Sequence, residues 1–96
     1  MLIIAGKEYV APEHRDAFVA SYADLVRRAR KAPGCLDVAV SADPIEAGRV
    51  NNFERWESEE HPAAWRAVAA APTPATEVSD GDVMPYEIST SRPPLS

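Results

Sequence analysis

The run Val50-Asn51-Asn52-Phe53-Glu54-Arg55-Trp56-Glu57-Ser58-Glu59-Glu60 restricts the fold more than any other segment. It reads as a β-strand that passes directly into a helix. Side chains alternate across a strand, so Val50, Asn52, Glu54 and Trp56 share one face. Asn51, Phe53, Arg55 and Glu57 share the other. Ser58 stands where a helix N-cap belongs, and Glu59 and Glu60 fall in the first turn, where the helix dipole favours acid. A carboxamide and an indole on one strand face form a wall suited to binding. The rest of the chain reads as the frame that encloses it.

Leu2 to Val10 is a strand with apolar residues on both faces: Leu2, Ile4 and Val10 on one, Ile3, Ala5 and Tyr9 on the other. Such a strand is usually covered on both sides. Gly6 interrupts it, either as a bulge, as a close approach of a ligand or neighbouring chain, or as a small residue under a packed side chain. Ala11-Pro12-Glu13 opens a helix, since proline suits the first helical position. Phe18, Tyr22, Leu25 and Ala29 make its apolar stripe, widened by Val19 and Val26. Arg27, Arg28, Arg30 and Lys31 read as a solvated face that complements the C-terminal dipole. Ala32-Pro33-Gly34 stops the helix.

Cys35 to Ala42 alternates again, with Leu36, Val38, Val40 and Ala42 on one face and Cys35, Asp37, Ala39 and Ser41 on the other. Asp43 to Gly48 is a turn by composition, so this strand and the one from Arg49 to Glu57 form an antiparallel hairpin. The second helix follows Ser58, tolerates Pro62 in its first turn and carries Trp65, Val68 and Ala69 as its stripe. Its alanine-rich end runs through Ala71, and Pro72-Thr73-Pro74 closes it. After a polar loop from Ala75 to Gly81, Asp82 to Ser91 reads as the last strand, with Met84, Tyr86, Ile88 and Thr90 on one face. Pro85 lacks a ladder donor and places this strand at an edge. Residues 1–91 thus form one domain and residues 92–96 a tail.

Strand, helix, strand, strand, helix, strand is the split βαβ order of a ferredoxin-like α+β fold. It implies a four-stranded antiparallel sheet with both helices on one face. Two helices cannot cover a sheet that is apolar on both sides, and several hundred Å² of apolar surface in water is unusual for a monomer. A homodimer packed sheet to sheet is the simplest remedy. An apolar fraction of 46 % excludes disorder. A net charge of -5 without a basic run argues against nucleic acid. No apolar run approaches the ~20 residues of a membrane span. Met1-Leu2-Ile3-Ile4 lacks the basic start of a secretion signal, and Cys35 has no internal disulfide partner. The expectation is a cytoplasmic domain that engages no membrane. His14 and His61 begin different helices, so no metal motif is present, and no glycine-rich loop suggests flavin or nicotinamide. Cys35 reads as a structural thiol.

Pro33-Gly34-Cys35-Leu36 entering a strand, Asp43-Pro44 with Gly48 in the hairpin, and Asn52-Phe53-Glu54-Arg55-Trp56-Glu57-Ser58-Glu59-Glu60 together resemble the antibiotic biosynthesis monooxygenase (ABM) domain family. The Glu-x-Trp followed by Ser-Glu-Glu is the most specific part, and the likeness spans nearly the whole chain in element order. The resemblance implies a dimeric α+β barrel with one pocket per subunit between sheet and helices. It also implies a cofactor-independent monooxygenase, an oxidoreductase acting on phenols, anthrones or quinols. In the polyketide-oxidising members an Asn and a Trp at this spacing line the pocket, and Asn52 and Trp56 match them. Those members also use a tyrosine and an arginine from the second helix and beyond. Here no tyrosine follows until Tyr86. The haem-degrading branch uses an Asn on the first strand and a His well along the second helix, and neither is present.

Oxygenation without a cofactor needs a protein that binds an electron-rich ring, holds its anion and excludes water. Asn52 is the candidate donor to the oxyanion, Trp56 a stacking surface and His61 a candidate base. Tyr22, Phe18 and Trp65 are candidate substrate-binding residues on the helix side. The aromatic residues have a competing reading as core, Asn52 as a strand-edge hydrogen bond and His61 as an exposed helix start. Glu54 on the pocket face is expected to pair with an arginine. Two other functions stay open: a non-catalytic small-molecule-binding or stress-related dimer, and a small-metabolite isomerase.

Overall fold

The computed structural model describes residues 1–72 and 76–94. Strand β1 (Leu2–Tyr9) lies inside the sheet and runs antiparallel to β3 (Arg49–Trp56), with Leu2 opposite Trp56 and Tyr9 opposite Arg49. β2 (Cys35–Ala42) pairs with the other edge of β3. Two short strands, β4 (Asp80–Gly81) and β5 (Met84–Glu87), follow one another along the remaining edge of β1. This is the antiparallel, ferredoxin-like α+β arrangement, with β3 inserted between β1 and β2.

Pro12 opens a single 3-10 turn, Pro12–His14, before the first helix. That helix is bent into α1 (Arg15–Ser21) and α2 (Ala23–Ala29) about Tyr22, whose φ of -93° and ψ of -3° depart from the helical mean. The second helical element is α3 (Glu60–Arg66). On the helix side of the sheet, Leu2, Ile4, Val38 and Trp56 pack with Ala29 in one core cluster, and Val10, Val50 and Phe18 form a second. Trp56 and Val50 are wholly buried. The opposite face carries Ile3, Ala5, Ala39 and Phe53, half-buried. Beside them on β5, Met84 and Tyr86 are each 52 % exposed.

Four local features depart from the sequence expectation. A bulge between Cys35 and Asp37 puts both Cys35 and Trp56 in the helix-side core, so Cys35 does not share a face with Asp37. The extra residue, Leu36, is left 42 % exposed. Helix α3 ends at Arg66 rather than Ala71, and beyond it the Arg28 guanidinium donates to the Ala69 carbonyl at 2.7 Å. Ala70 then turns with φ of 48°. This turn buries Ala69 but leaves Val68 72 % exposed, outside the expected stripe. Ser58 does not cap the helix: its hydroxyl pairs with His61 Nδ1 at 2.7 Å, and Glu59 holds the cap position. The last strand is shorter than expected and is broken at Asp82, whose carboxylate accepts the Lys7 N–H at 3.0 Å. Gly6 faces that break with φ of 153°, and a Cβ there would strike Asp82 O and Val83 Cα. The close approach at Gly6 therefore comes from the protein's own chain. The expected stop at Thr73 and Pro74, the loop start at Ala75 and the tail end at Leu95 and Ser96 lie outside the described residues.

The hairpin loop falls at 43–48 as its composition suggests. Asp43 Oδ2 accepts the N–H groups of Ile45 and Glu46, and Oδ1 accepts Asn51 Nδ2 at 2.9 Å. These bonds, led by that from Asn51, hold the Asp43 carboxyl down at about 2. Arg15 donates to the carbonyls of Asp43, Glu46 and Arg49, tying α1 to the loop.

Candidate functional site

A cavity of about 300 Å³ lies between the sheet and the helical layer. The strand period gives its floor: Asn52 and Glu54 stand on the helix face of β3, beside Val38 and Val40 of β2. The bend in the first helix gives one wall, with Tyr22, Val26 and Ala29. The other wall is Trp65 and Arg66 of α3 with Ala69 beyond it. The volume is near the lower end of the range for small-molecule sites, and an apolar lining with a few polar groups is their usual character.

The polar groups are individually held. Asn52 Nδ2 donates to Glu8 Oε1 at 2.9 Å, which fixes the carboxamide and leaves its second N–H uncommitted by that bond. Glu8 stands on the helix face of β1, opposite Val50. Burial, and then the Glu8 charge, push the Tyr22 hydroxyl above the usual tyrosine value. Glu54 accepts the Trp56 indole N–H at 3.0 Å and has Arg66 at 3.6 Å. Glu54 and Arg66 also border a second hollow of about 390 Å³, between α3 and β5, so this ion pair stands between the two spaces. Arg28 lies 5.6 Å from the centre of the Trp65 ring and anchors the chain beyond α3 through Ala69.

The six residues singled out from sequence are placed as follows. Asn52, Tyr22 and Trp65 line the cavity together. Trp56 shares the strand face of Asn52 but lies beneath the floor, wholly buried, and reaches the cavity only through its bond to Glu54. Phe18 packs in the second core cluster, its ring 5.2 Å from that of Tyr22. His61 is not among the cavity residues. Its ring covers Gly34, whose φ of 78° no side chain could share with it. Glu54 stands on the pocket face and pairs with an arginine, Arg66, as expected; Arg66 itself, and Glu8 behind Asn52, are the polar groups that sequence reading did not name. A signal for Glu8 exists: it is the carboxylate in the core-facing register of Leu2, Ile4 and Val10. Among the described residues, no three His, Cys, Asp or Glu side chains gather as a metal site requires. No helix among them is long and apolar enough to cross a membrane.

The model of a family described as antibiotic biosynthesis monooxygenase matches residues 1–71. A candidate antibiotic biosynthesis monooxygenase from Deinococcus radiodurans shares 19 % identity at a TM-score of 0.70, over 97 % of each chain. One from Nitrosomonas europaea shares 14 % identity at a TM-score of 0.72, over 94 % of this chain and 100 % of its own. A haem-degrading protein from Mycobacterium tuberculosis, solved with two haems in its active site, shares 15 % identity at a TM-score of 0.70, over 97 % of this chain and 100 % of its own. At these identities the structural likenesses establish the fold alone. No curated protein is detectably similar to the chain.

Proposed function

Since the chain belongs to the antibiotic biosynthesis monooxygenase family, we propose that it is a cofactor-independent monooxygenase that oxidises an aromatic phenol, anthrone or quinol with dioxygen. One observation carries this reading: Asn52, Tyr22, Trp65 and the Glu54–Arg66 pair all border one largely apolar cavity of about 300 Å³. That space matches an aromatic ring with few substituents.

The chemistry follows from the side chains at hand. Glu54 is the carboxylate bordering the cavity, and it takes the proton of the substrate O–H. The carboxamide N–H of Asn52 that is not given to Glu8 donates to the oxygen as its charge develops, a role worth a few kcal/mol in a site shielded from water. The negative charge thereby moves from Glu54 to the substrate oxygen, and Arg66, 3.6 Å from Glu54, faces it there. The Trp65 ring offers a stacking face, and Tyr22, held protonated, donates without ionising. The electron-rich anion then reduces dioxygen itself. One oxygen atom bonds to a ring carbon, that carbon and the hydroxyl lose two hydrogens in all, and the second oxygen leaves as water. The substrate is thus its own reductant. Trp56 acts from below by fixing Glu54.

The same reading includes a homodimer formed through the sheet face that bears Ile3, Phe53, Met84 and Tyr86, which supports it by its apolar character. The test is oxygen uptake with an anthrone or a reduced naphthoquinone. Asn52→Ala is expected to lower the rate about a hundredfold or more. Uptake equal in the variant and the parent removes Asn52 from the site. No uptake by the parent with any ring that binds favours a non-catalytic binding dimer.

A further inference from the structure

The cavity is not closed on the side of Tyr22. A groove of about 600 Å³ runs from there between the α1–α2 bend and β2, and it shares Tyr22, Val26, Ala39 and Val40 with the cavity. Its floor is apolar. Its outer rim carries Arg27, Arg30 and Lys31, and among the described residues no carboxylate side chain borders it. In a chain of net charge -5 this is a local reversal of sign. The three cations differ in what already holds them. Arg30 donates to the Val38 carbonyl at 2.8 Å and lies 3.8 Å from Asp37, so it is part of the β2 scaffold. Arg27 is 3.5 Å from Asp24 in an exposed pair, and Lys31 makes no ion pair among the described residues. Exposed pairs of this kind are weak and exchange readily for a better anion.

We infer that the substrate is an amphipathic acid. Its ring occupies the inner cavity, an apolar chain follows the groove, and a terminal carboxylate meets Arg27 and Lys31 at the rim. This rests on the proposed aromatic site and adds the chain and the charge to it. The groove explains how a small domain with limited interior accommodates a ligand longer than one ring. Arg27 lies in the last turn of α2 and Lys31 just beyond Ala29, and both border this one groove.

The test measures binding, without turnover, by quenching of tryptophan fluorescence, since Trp65 borders the cavity. The probes are naphthol, naphthyloxyhexanoic acid and the methyl ester of that acid. The acid is expected to bind about fivefold or more tighter than its ester at low salt, as one or two exposed charge pairs allow, and to lose that advantage at high salt. The double variant Arg27→Gln with Lys31→Gln is expected to equalise acid and ester while leaving naphthol unchanged. Arg30 is kept so that β2 stays in place. Acid and ester binding alike to the parent protein, with naphthol still bound, overturns this inference and spares the aromatic site. An equal loss for acid and ester in the double variant also overturns it. Failure of all three probes to bind overturns both readings.

Discussion

Replacing Trp56 by Phe separates the structural duty of this residue from any direct contact with substrate. The indole is wholly buried between β1, β2 and the helices, and its single hydrogen bond is the one to Glu54 at 3.0 Å. Phe is smaller, and a void of roughly 40 Å³ at ~24 cal/mol per Å³ costs about 1 kcal/mol. A hydrogen bond to a charged group adds about 1.5–3 kcal/mol, and the lower end applies because the Glu54 side chain keeps 26 % exposure and has Arg66 nearby. The expected loss is therefore about 2–3 kcal/mol. With a urea slope of about 1 kcal/mol per M for a domain this small, the unfolding midpoint should fall by about 2–3 M. Far-ultraviolet circular dichroism at fixed protein concentration measures it, because association would otherwise shift the midpoint. A fall below about 0.5 M would show that neither the packing nor the bond to Glu54 carries the weight assigned here.

Three further outcomes follow from the same geometry. Gly6→Ala places a Cβ against Asp82 O at a φ of 153°, and is expected to cost roughly 1–3 kcal/mol in the same urea assay; a neutral change would mean that the β4–β5 break moves freely. The Asp43 carboxyl is held down at about 2, so its contribution to stability is complete above the ordinary value of 3.8 and is lost as pH falls from there through about 2. Asp43→Asn should flatten the pH dependence of the urea midpoint in that window, and an unchanged slope contradicts the assignment. Glu8→Gln should bring the Tyr22 titration, read by tyrosinate absorbance, down toward the usual value without reaching it, since burial is the larger cause of its elevation. No movement would place Glu8 away from the hydroxyl.

Much of the fold was legible because the periodicities are clean. Val50 and Trp56 were assigned to one strand face and both are wholly buried there. The loop at Asp43 to Gly48 followed from its turn residues. What escaped was decided by contacts distant in sequence. The chain beyond α3 is held by Arg28, which is 41 positions from the Ala69 carbonyl it binds. The bulge at Leu36 moved Cys35 to the other face, and a strand pattern carries no mark of a single inserted residue. In the site, Asn52, Tyr22 and Trp65 share the cavity. Strand alternation put Trp56 on the same face as Asn52 but could not give its depth, and depth is what separates a floor from a lining residue. Sequence names His61 a candidate base but cannot say whether its ring reaches the pocket, and the turn after Trp56 carries it to Gly34. The register marks Glu8 as a core-facing carboxylate, but its partner Asn52 lies 44 positions away and is not legible from that pattern.

A ring bound against Asn52 and Glu54 is proposed to reduce dioxygen without help. The most direct test is a reaction under isotopically labelled dioxygen, with an anthrone or quinol as the sole reductant and no added flavin or metal. One labelled oxygen atom is expected in the product and the other in water, at a rate that falls in Asn52→Ala and in Glu54→Gln. Product without label, or label entering at the same rate in both variants, would contradict it.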